Sequence, residues 1–525
     1  MINHEPTLGE ARDRRRVHYP AAAGRLDVGR TGATPRAVVV GAGIAGLAAA
    51  TGLAERGFHV DVIERERYLG GRVGGWTQRL HDGGRVAMNR GFHAFFAQYY
   101  NLRKLLSRAD IRLHRLRDYP LIDDRGRRDT FRGLPRTPPW NALAFALRSP
   151  TFGLRDLFRL DARAAEPLVT VSVPGIYERL DDLDAETFLR AINFPDAARH
   201  LAFEVFSRSF FIEPHRMSAA ELAMMFHIYF LGSSEGLIFD VAPDNFDVSV
   251  WEPLARYLTS AGCPGRVEFH LDTSVERIEP EATGLRVIDD TGGEIAADAV
   301  VLAADIAGLR RIVAASPDLG DAEWRSRIGA LATAPPFAVR RLWLDRPVRA
   351  DRSSFLGTGN LDPLDNISVL NRYERNAADW AGRTGGSVVE LHAYAVSDAD
   401  SRPGVRADTE QRMLARLHQI YPETAAAHIV GQTTLWRQDC PRFAPGDFAR
   451  RPGVITPDSR LVLAGDGIRV DLPVALMERA ATTGWLAANT LLARWGGAGH
   501  DLHSVPADGR SKVLRRAANL GRRFG

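Results

Sequence analysis

The chain has 525 residues, 45% hydrophobic and 25% charged, a globular composition in a chain too long for one compact core. Its pI is near 9.2, yet of the net +4 the first 36 residues hold +3 and residues 510–525 hold +6, so residues 37–509 total −5. A mildly acidic body excludes a nucleic-acid groove through the fold. Two cysteines, Cys263 and Cys440, give neither a disulfide framework nor a metal spacing, which fits core thiols, no metal site and a reducing cytoplasm.

Residues 1–34 read as a basic flexible segment without the apolar core of a signal peptide. Ala37–Val40 is a buried parallel strand by pattern. It runs into Gly41-Ala42-Gly43-Ile44-Ala45-Gly46, a GxGxxG turn, and then into a small-residue helix that stops at Gly57. In that arrangement the first glycine makes the turn and the second admits a diphosphate to the backbone. The third lets helix and strand pack, with the anion at the helix N-terminus. A second strand, "HVDVIE", ends in Glu64, eighteen residues beyond Gly46, where a carboxylate can accept from a ribose hydroxyl. The uncharged run 37–54 is long enough to imitate a membrane span, but the glycine spacing explains it better and no transmembrane helix is expected. Both NAD and FAD use this half-motif.

The stretch "NRGFHAFFAQYYNL" (89–102) crowds aromatic rings around one histidine with no acid. Such a run is either ordinary core or a wall between a ring cofactor and an apolar substrate. Two long inserts follow, roughly 103–264 and 305–430. The first reads as mostly helical, with large apolar faces at 200–211 and 217–230; the second holds strand candidates Phe337–Leu344 and Ser387–Ala395. Between them, Val275–Ile278, a hairpin over 285–296 and Ala299–Ala303 are strands. Near the end, Leu461–Ala464 is a strand, Gly465-Asp466-Gly467 a turn and Leu476–Leu492 an amphipathic helix. Residues 497–525 form a basic tail, in which Val513, Ala517 and Leu520 lie on one side among arginines. The segment Arg12–Arg16 is similarly basic.

Directly after Glu64, "RERYLGGRVGG" resembles the second signature of the flavin amine oxidase and phytoene desaturase superfamily. "LAGDGIRVDLPVALMERA" resembles its closing motif. Gly91, His93, Phe95, Phe96, Tyr99 and Asn101 match the plant-type carotene desaturase pattern G-x-H-x-F-F-x-x-Y-x-N. With "FRGLPRTPPWNAL", "SPTFGLRDL", "AFEVFSRSFF" and "AELAMMFHIYFLGSSEGLIFDV", the chain resembles the actinobacterial isorenieratene synthases. These are also called carotenoid φ-ring synthases or β-carotene desaturase/methyltransferases. The likeness covers nearly all of residues 37–495.

The resemblance implies an α/β fold: an FAD-binding Rossmann-like (GR2-type) domain built from 35–102, 265–304 and 431–496. The inserts 103–264 and 305–430 would then form an α+β, largely helical substrate domain. It implies non-covalent FAD against Gly41, Gly43, Ile44, Ala45, Gly46, Glu64, Arg65, Gly70, Gly71, Arg72 and Val73. Val275 would lie along the adenine and Gly465 and Asp466 near the diphosphate, with Val474, Ala475 and Leu476 at the isoalloxazine edge. The implied reaction turns the β-ionone ring of β-carotene or γ-carotene into an aromatic ring. His93 is the first candidate base, with Glu213, His215 and His227 behind it. Phe92, Phe95, Phe96, Tyr99, Phe226, His227 and Phe230 are candidates for the substrate tunnel. A membrane surface and a quinone electron acceptor are the implied partners, with the enzyme on the cytoplasmic side of the membrane. Lys104 and Lys512 are the only lysines; amine oxidases place one beside the flavin, so amine oxidation is disfavoured. A linear carotene desaturase or isomerase is the alternative activity, and a non-catalytic flavin-binding or membrane-docking protein a more distant one.

Overall fold

The computed structural model describes residues 13–29, 33–80, 83–151, 153, 159–202 and 210–509. Its central element is a five-stranded parallel sheet in the order Arg266–His270, His59–Ile63, Arg36–Val40, Ala299–Leu302, Leu461–Leu463. Arg36–Val40 and Ala299–Leu302 are nearly continuous apolar runs because both faces are covered, while His59–Ile63 also carries Asp61, buried against Arg36 and His270. The helix Ile44–Ala54 is buried along its whole length. It lies against the closing helix Leu476–Arg494, and small residues let the backbones approach. A Cβ at Gly52 would come within 2.7 Å of the Ala488 methyl, and one at Gly484 within 2.3 Å of the Ala45 carbonyl. The antiparallel meander Val275–Pro280, Leu285–Asp289, Glu294–Ala297 sits beside this sheet.

The second large element is a seven-stranded sheet in the order Ile429–Arg437, Phe337–Leu344, Ser387–Ala393, Asn366–Val369, Phe355–Gly359, Leu121–Asp123, Arg128–Asp129. Its Phe337–Leu344, Ser387–Ala393 and Asn366–Val369 strands are buried on both faces. A helical layer packs nearby, in which Ala219–Phe226 runs on as a π-helix, His227–Leu231.

Several expected boundaries shift for packing reasons. The basic lead-in is not free over its described part: Val17–Tyr19 pairs with Leu502–Ser504, which also orders the start of the expected tail. Residues 510–525, with Val513, Ala517 and Leu520, lie outside the described residues, as does most of 203–211. Helices Ile306–Ala314 and Ala322–Ala330 follow straight from a sheet strand. They bury Ile306, Leu309, Ile312 and Trp324 in the nucleotide-side core rather than in the substrate insert. Phe246, Val250, Trp251 and Leu254, at the end of the first insert, join that core too. Strands Leu121–Asp123 and Arg128–Asp129 tie the first insert to the sheet of the second, and Ile429–Arg437 completes that sheet from across the expected boundary at 430.

Candidate functional site

The glycine turn divides its labour by position. Gly41 has φ +103°, and a Cβ there would stand 2.7 Å from the Ala303 carbonyl. A Cβ on Gly46 would meet the Gly41 carbonyl at 1.8 Å, so its place is inside the packing and not in the cavity wall. Gly43 faces open space, with no atom within 4 Å of where its Cβ would stand. The helix behind it has no side-chain cap and no acid in its first turn. A buried helix end with uncompensated N–H groups is a site for an anion. Glu64 Oε2 accepts from the Ala42 N–H at 2.7 Å and Oε1 from the Glu66 N–H at 3.0 Å, which pins the turn. Burial raises the Glu64 carboxyl from its ordinary value against those two bonds.

The Gly70-Gly71-Arg72 loop is fastened to this turn. The Gly70 N–H donates to the Ala42 carbonyl at 2.8 Å, and the Trp251 Nε1–H donates to the Val73 carbonyl at 2.7 Å. Gly70, φ +91°, leaves room for the Trp251 ring, which a Cβ would strike at 2.0 Å. Arg72 is ion-paired with Asp466, and Arg65 with Asp305 at 2.6 Å. FAD fits what is present: an uncapped helix N-terminus for the diphosphate, a carboxylate for the ribose, and Arg72 and Asp466 farther along.

Gly41, Gly43, Glu64, Arg65, Gly70, Gly71, Arg72 and Asp466 line one continuous cavity of about 420 Å³, and so do Ile44, Ala45, Val73, Val275, Gly465 and Leu476. Val474 and Ala475 do not. They are 3% and 0% exposed, and Ala475 packs into the helical insert. Leu476 takes a left-handed conformation, φ +53°, at the head of the closing helix, and it is Leu476, Met477 and Ala480 that reach the cavity.

Beyond the glycine-lined part the cavity opens into an aromatic chamber. Phe92, His93, Phe96 and Tyr99 line it as expected. Phe95 does not: in the two-residue strand Phe95–Phe96 successive side chains point to opposite faces, and Phe95 packs edge-on to Phe246. Phe226 and Phe230 stack on each other at 5.3 Å, and His227 Nε2 is 2.8 Å from the Pro506 carbonyl; none of the three lines the cavity. His215 is exposed and Glu213 half-buried, both outside the wall. Lys104 lies over the Trp485 ring, 4.4 Å from its centroid, so no described lysine reaches the chamber.

His93 Nδ1 stands 2.9 Å from the Gly91 carbonyl, which can only accept, so Nδ1 carries the proton. Burial depresses the ring to about 4 against that bond, so it is neutral near pH 7 with its lone pair on Nε2. A second polar group comes from the strand Ser387–Ala393 and its end. Arg341 donates to Glu390 at 2.7 and 2.9 Å, Glu390 lies 2.9 Å from His392 Nε2, and His392 Nδ1 lies 2.6 Å from the Tyr394 hydroxyl. Burial opposes ionisation of Glu390, but Arg341 and His392 hold it down at about 2. The sequence reading missed His392 and Tyr394, which line the chamber, although "ELHAY" puts Glu390, His392 and Tyr394 on one strand face by period two. It also missed Tyr119, Phe131, Phe239 and Phe355, which share no spacing and are brought together only by the fold. Cys440 lines the cavity as well, and burial pushes its thiol up to about 12 in spite of Arg72.

The sequence pattern of the flavin-containing amine oxidoreductases matches residues 44–492. A carotenoid phi-ring synthase of Streptomyces griseus is 56% identical over 513 residues, 97% of this chain and 97% of that protein. A second, from Chlorobaculum tepidum, is 28% identical over 91% of each. Among solved structures, a putrescine oxidase triple mutant superposes with a TM-score of 0.65 at 17% identity, covering 88% of this chain and 99% of that one, a likeness of fold.

Proposed function

Since the chain belongs to the flavin-containing amine oxidoreductase family, in its carotenoid phi-ring synthase branch, we propose that it aromatises the β-ionone ring of a C40 carotene. β-Carotene or γ-carotene would be the substrate, in isorenieratene- or chlorobactene-type biosynthesis. The protein is an FAD-dependent oxidoreductase. The observation that carries the finer reading is the single cavity running from the uncapped helix end at Gly43 to an aromatic chamber holding a neutral histidine.

The ring to be aromatised bears two methyls on one carbon. That carbon has no hydrogen to lose, so one methyl must migrate to its neighbour while four hydrogens leave as two hydrides and two protons. FAD, when bound, supplies the hydride acceptor. The protein's part is to hold the ring, exclude water and take the protons. The rings of Phe92, Phe96, Tyr119 and Phe239 offer their faces to a passing cation. His93 Nε2 receives the proton: a base whose conjugate acid sits at about 4 is weak, yet a carbocation is a far stronger acid, and neutrality keeps the lone pair available. The cofactor is held in this reading without a covalent bond, Cys440 lying outside the Gly465-Asp466-Gly467 turn.

In this reading Gly41, Gly43, Ile44, Ala45, Glu64, Arg65, Gly70, Gly71, Arg72, Val73, Val275, Gly465, Asp466 and Leu476 cradle the FAD. The substrate is a bilayer hydrocarbon, so the enzyme works peripherally at the cytoplasmic face of a membrane, and a quinone there reoxidises it. Among the described residues no helix is long and apolar enough to cross a membrane. Expression in a β-carotene-producing host tests the assignment. Aromatic ring protons and three ring methyls by proton NMR support it; unchanged β-carotene, with an acyclic carotene consumed in a second host, replaces it with linear desaturation.

A further inference from the structure

The helix Trp140–Arg148 is built inside out. Its inner face is held by Asn141, whose Nδ2–H donates to the Phe230 carbonyl at 2.8 Å, and by Phe145, which stacks on Phe131 at 4.9 Å and 7°. Its outer face carries Trp140, Leu143 and Leu147, at i, i+3 and i+7, with exposures of 60%, 46% and 55%. A helix on a water-facing surface puts polar side chains there. Among the described residues nine large apolar side chains are exposed. These three share one element and one face, whereas residues such as Leu26, Val248 and Ile455 are dispersed along the chain.

The chain segment that carries the helix holds charge of one sign, between Asp129, buried against Thr151, and Asp156. Residues 131–155 contain Arg132, Arg136, Arg148 and Arg155 and no acid. Arg132, Arg136 and Arg148 are exposed. Arg148 donates to the Gly133 and Arg132 carbonyls at 3.1 Å, neutral acceptors that leave its charge in place. Apolar anchors ringed by arginines complement a surface that is apolar inside and anionic at its rim. The position also matters. Phe131, on which Phe145 rests, lines the cavity and stacks at 4.7 Å on Tyr119, which lines it too. The helix itself and the stacked pair Phe145–Phe131 therefore stand between the outer face and the chamber.

We propose that this helix is a membrane-docking surface. Trp140, Leu143 and Leu147 enter the boundary between headgroups and acyl chains of an anionic bilayer, while Arg132, Arg136 and Arg148 meet the phosphates. The inference rests on the reading above, in which the substrate is a membrane-dissolved hydrocarbon, and it places the aromatic end of the cavity against the lipid. It assigns docking to the body of the fold, independently of the basic termini.

The test is co-sedimentation of the full-length, FAD-loaded protein with vesicles of phosphatidylcholine containing phosphatidylglycerol. The triple variant Trp140→Ser, Leu143→Ser, Leu147→Ser is expected to lose on the order of tenfold or more in vesicle affinity, with its flavin spectrum and thermal midpoint unchanged. The variant Arg132→Gln, Arg136→Gln, Arg148→Gln is expected to lose about fivefold per arginine on anionic vesicles and little on purely zwitterionic ones. Should the triple serine variant fail to fold, Leu147→Cys carrying an environment-sensitive fluorophore replaces it, because both native cysteines are buried. Its emission shifts to the blue on vesicle addition, while a label at Val248→Cys does not respond. Wild-type vesicle binding by the triple serine variant, a silent label at position 147, or self-association through this face without vesicle binding overturns the proposal. Ring conversion in detergent micelles by a protein that ignores vesicles would sink the docking surface and leave the proposed function standing. Docking through this helix without any ring conversion would do the reverse.

Discussion

The cavity has two ends made by different means. At the nucleotide end the wall is backbone: Gly41, Gly43, Gly70 and Gly465 expose main chain, and the specificity lies in which side chains are absent. At the other end the wall is made of side chains from distant places, Phe92, Tyr119, Phe239 and Phe355 among them, with one buried row of polar groups behind. A backbone site fixes glycine at set intervals, because a single methyl ruins it. A side-chain site asks only for rings of suitable size, which any strand can offer.

This contrast can be broken by substitution, and the largest effect belongs to Gly46. Gly46→Val pushes a side chain into the Gly41 carbonyl, 1.8 Å from the Cβ position, and is expected to give no folded flavoprotein. Gly43→Ala, whose methyl meets no protein atom, should instead fold normally and lose FAD. Flavin absorbance per mole alongside the melting midpoint separates the two, and equal flavin content in Gly43→Ala and wild type would contradict an anion site there. At the aromatic end, His93→Ala should keep its flavin while ring conversion falls by roughly 10²–10⁴, measured as product per bound FAD.

Arg341→Met takes away the guanidinium that holds Glu390 ionised and leaves that buried carboxyl with His392 beside it. It should cost about 3–5 kcal/mol of stability, and pairing it with Glu390→Gln should recover part of that, as denaturant titration would show. Smaller is the effect of acid. His93, in the cavity wall, and His500, against the Gly52 carbonyl, are both depressed by burial to about 4. A histidine whose folded value lies below its unfolded 6.5 contributes stability that is complete above 6.5 and lost as pH falls toward 4. The melting midpoint should therefore drop across that window, and turnover attributable to His93 should be level from pH 6 to 9. Least affected will be Phe355→Leu, expected to raise KM by a few-fold with kcat held, since one ring among many is trimmed.

What could be read from the sequence follows the same division. The strand–glycine–helix unit, Glu64, the Gly70-Gly71-Arg72 loop and the Gly465-Asp466 turn were legible, because each encodes a backbone requirement within a few residues. Val474 and Ala475 misled, because the left-handed turn at Leu476 redirects the chain and no glycine marks it. In the pair Phe95–Phe96 the rings were visible but not which one faced the cavity; a two-residue strand sets that by its register with Phe239 and Asp240, 143 and more residues away. The Arg341–Glu390–His392–Tyr394 row needed two strands to pair before its members met. Insert boundaries failed for a related cause. Ile306–Ala330 has the amphipathic pattern of any surface helix pair, and only the parent strand Ala299–Leu302 decides which core it covers.

The strand order of the five-stranded sheet carries a consequence for how the protein is made. Its middle strand, Arg36–Val40, leaves the ribosome early, yet its partner Ala299–Leu302 and the edge Leu461–Leu463 come hundreds of residues later. At about 5–20 residues per second, translation leaves the glycine turn waiting for roughly 20–85 s before the sheet can close. A nascent chain released before residue 463 lacks the last strand, the Asp466 turn and the whole closing helix that covers Ile44–Ala54. Flavin capture is thus an event of the finished polypeptide, and truncated translation products should appear as colourless, protease-sensitive fragments.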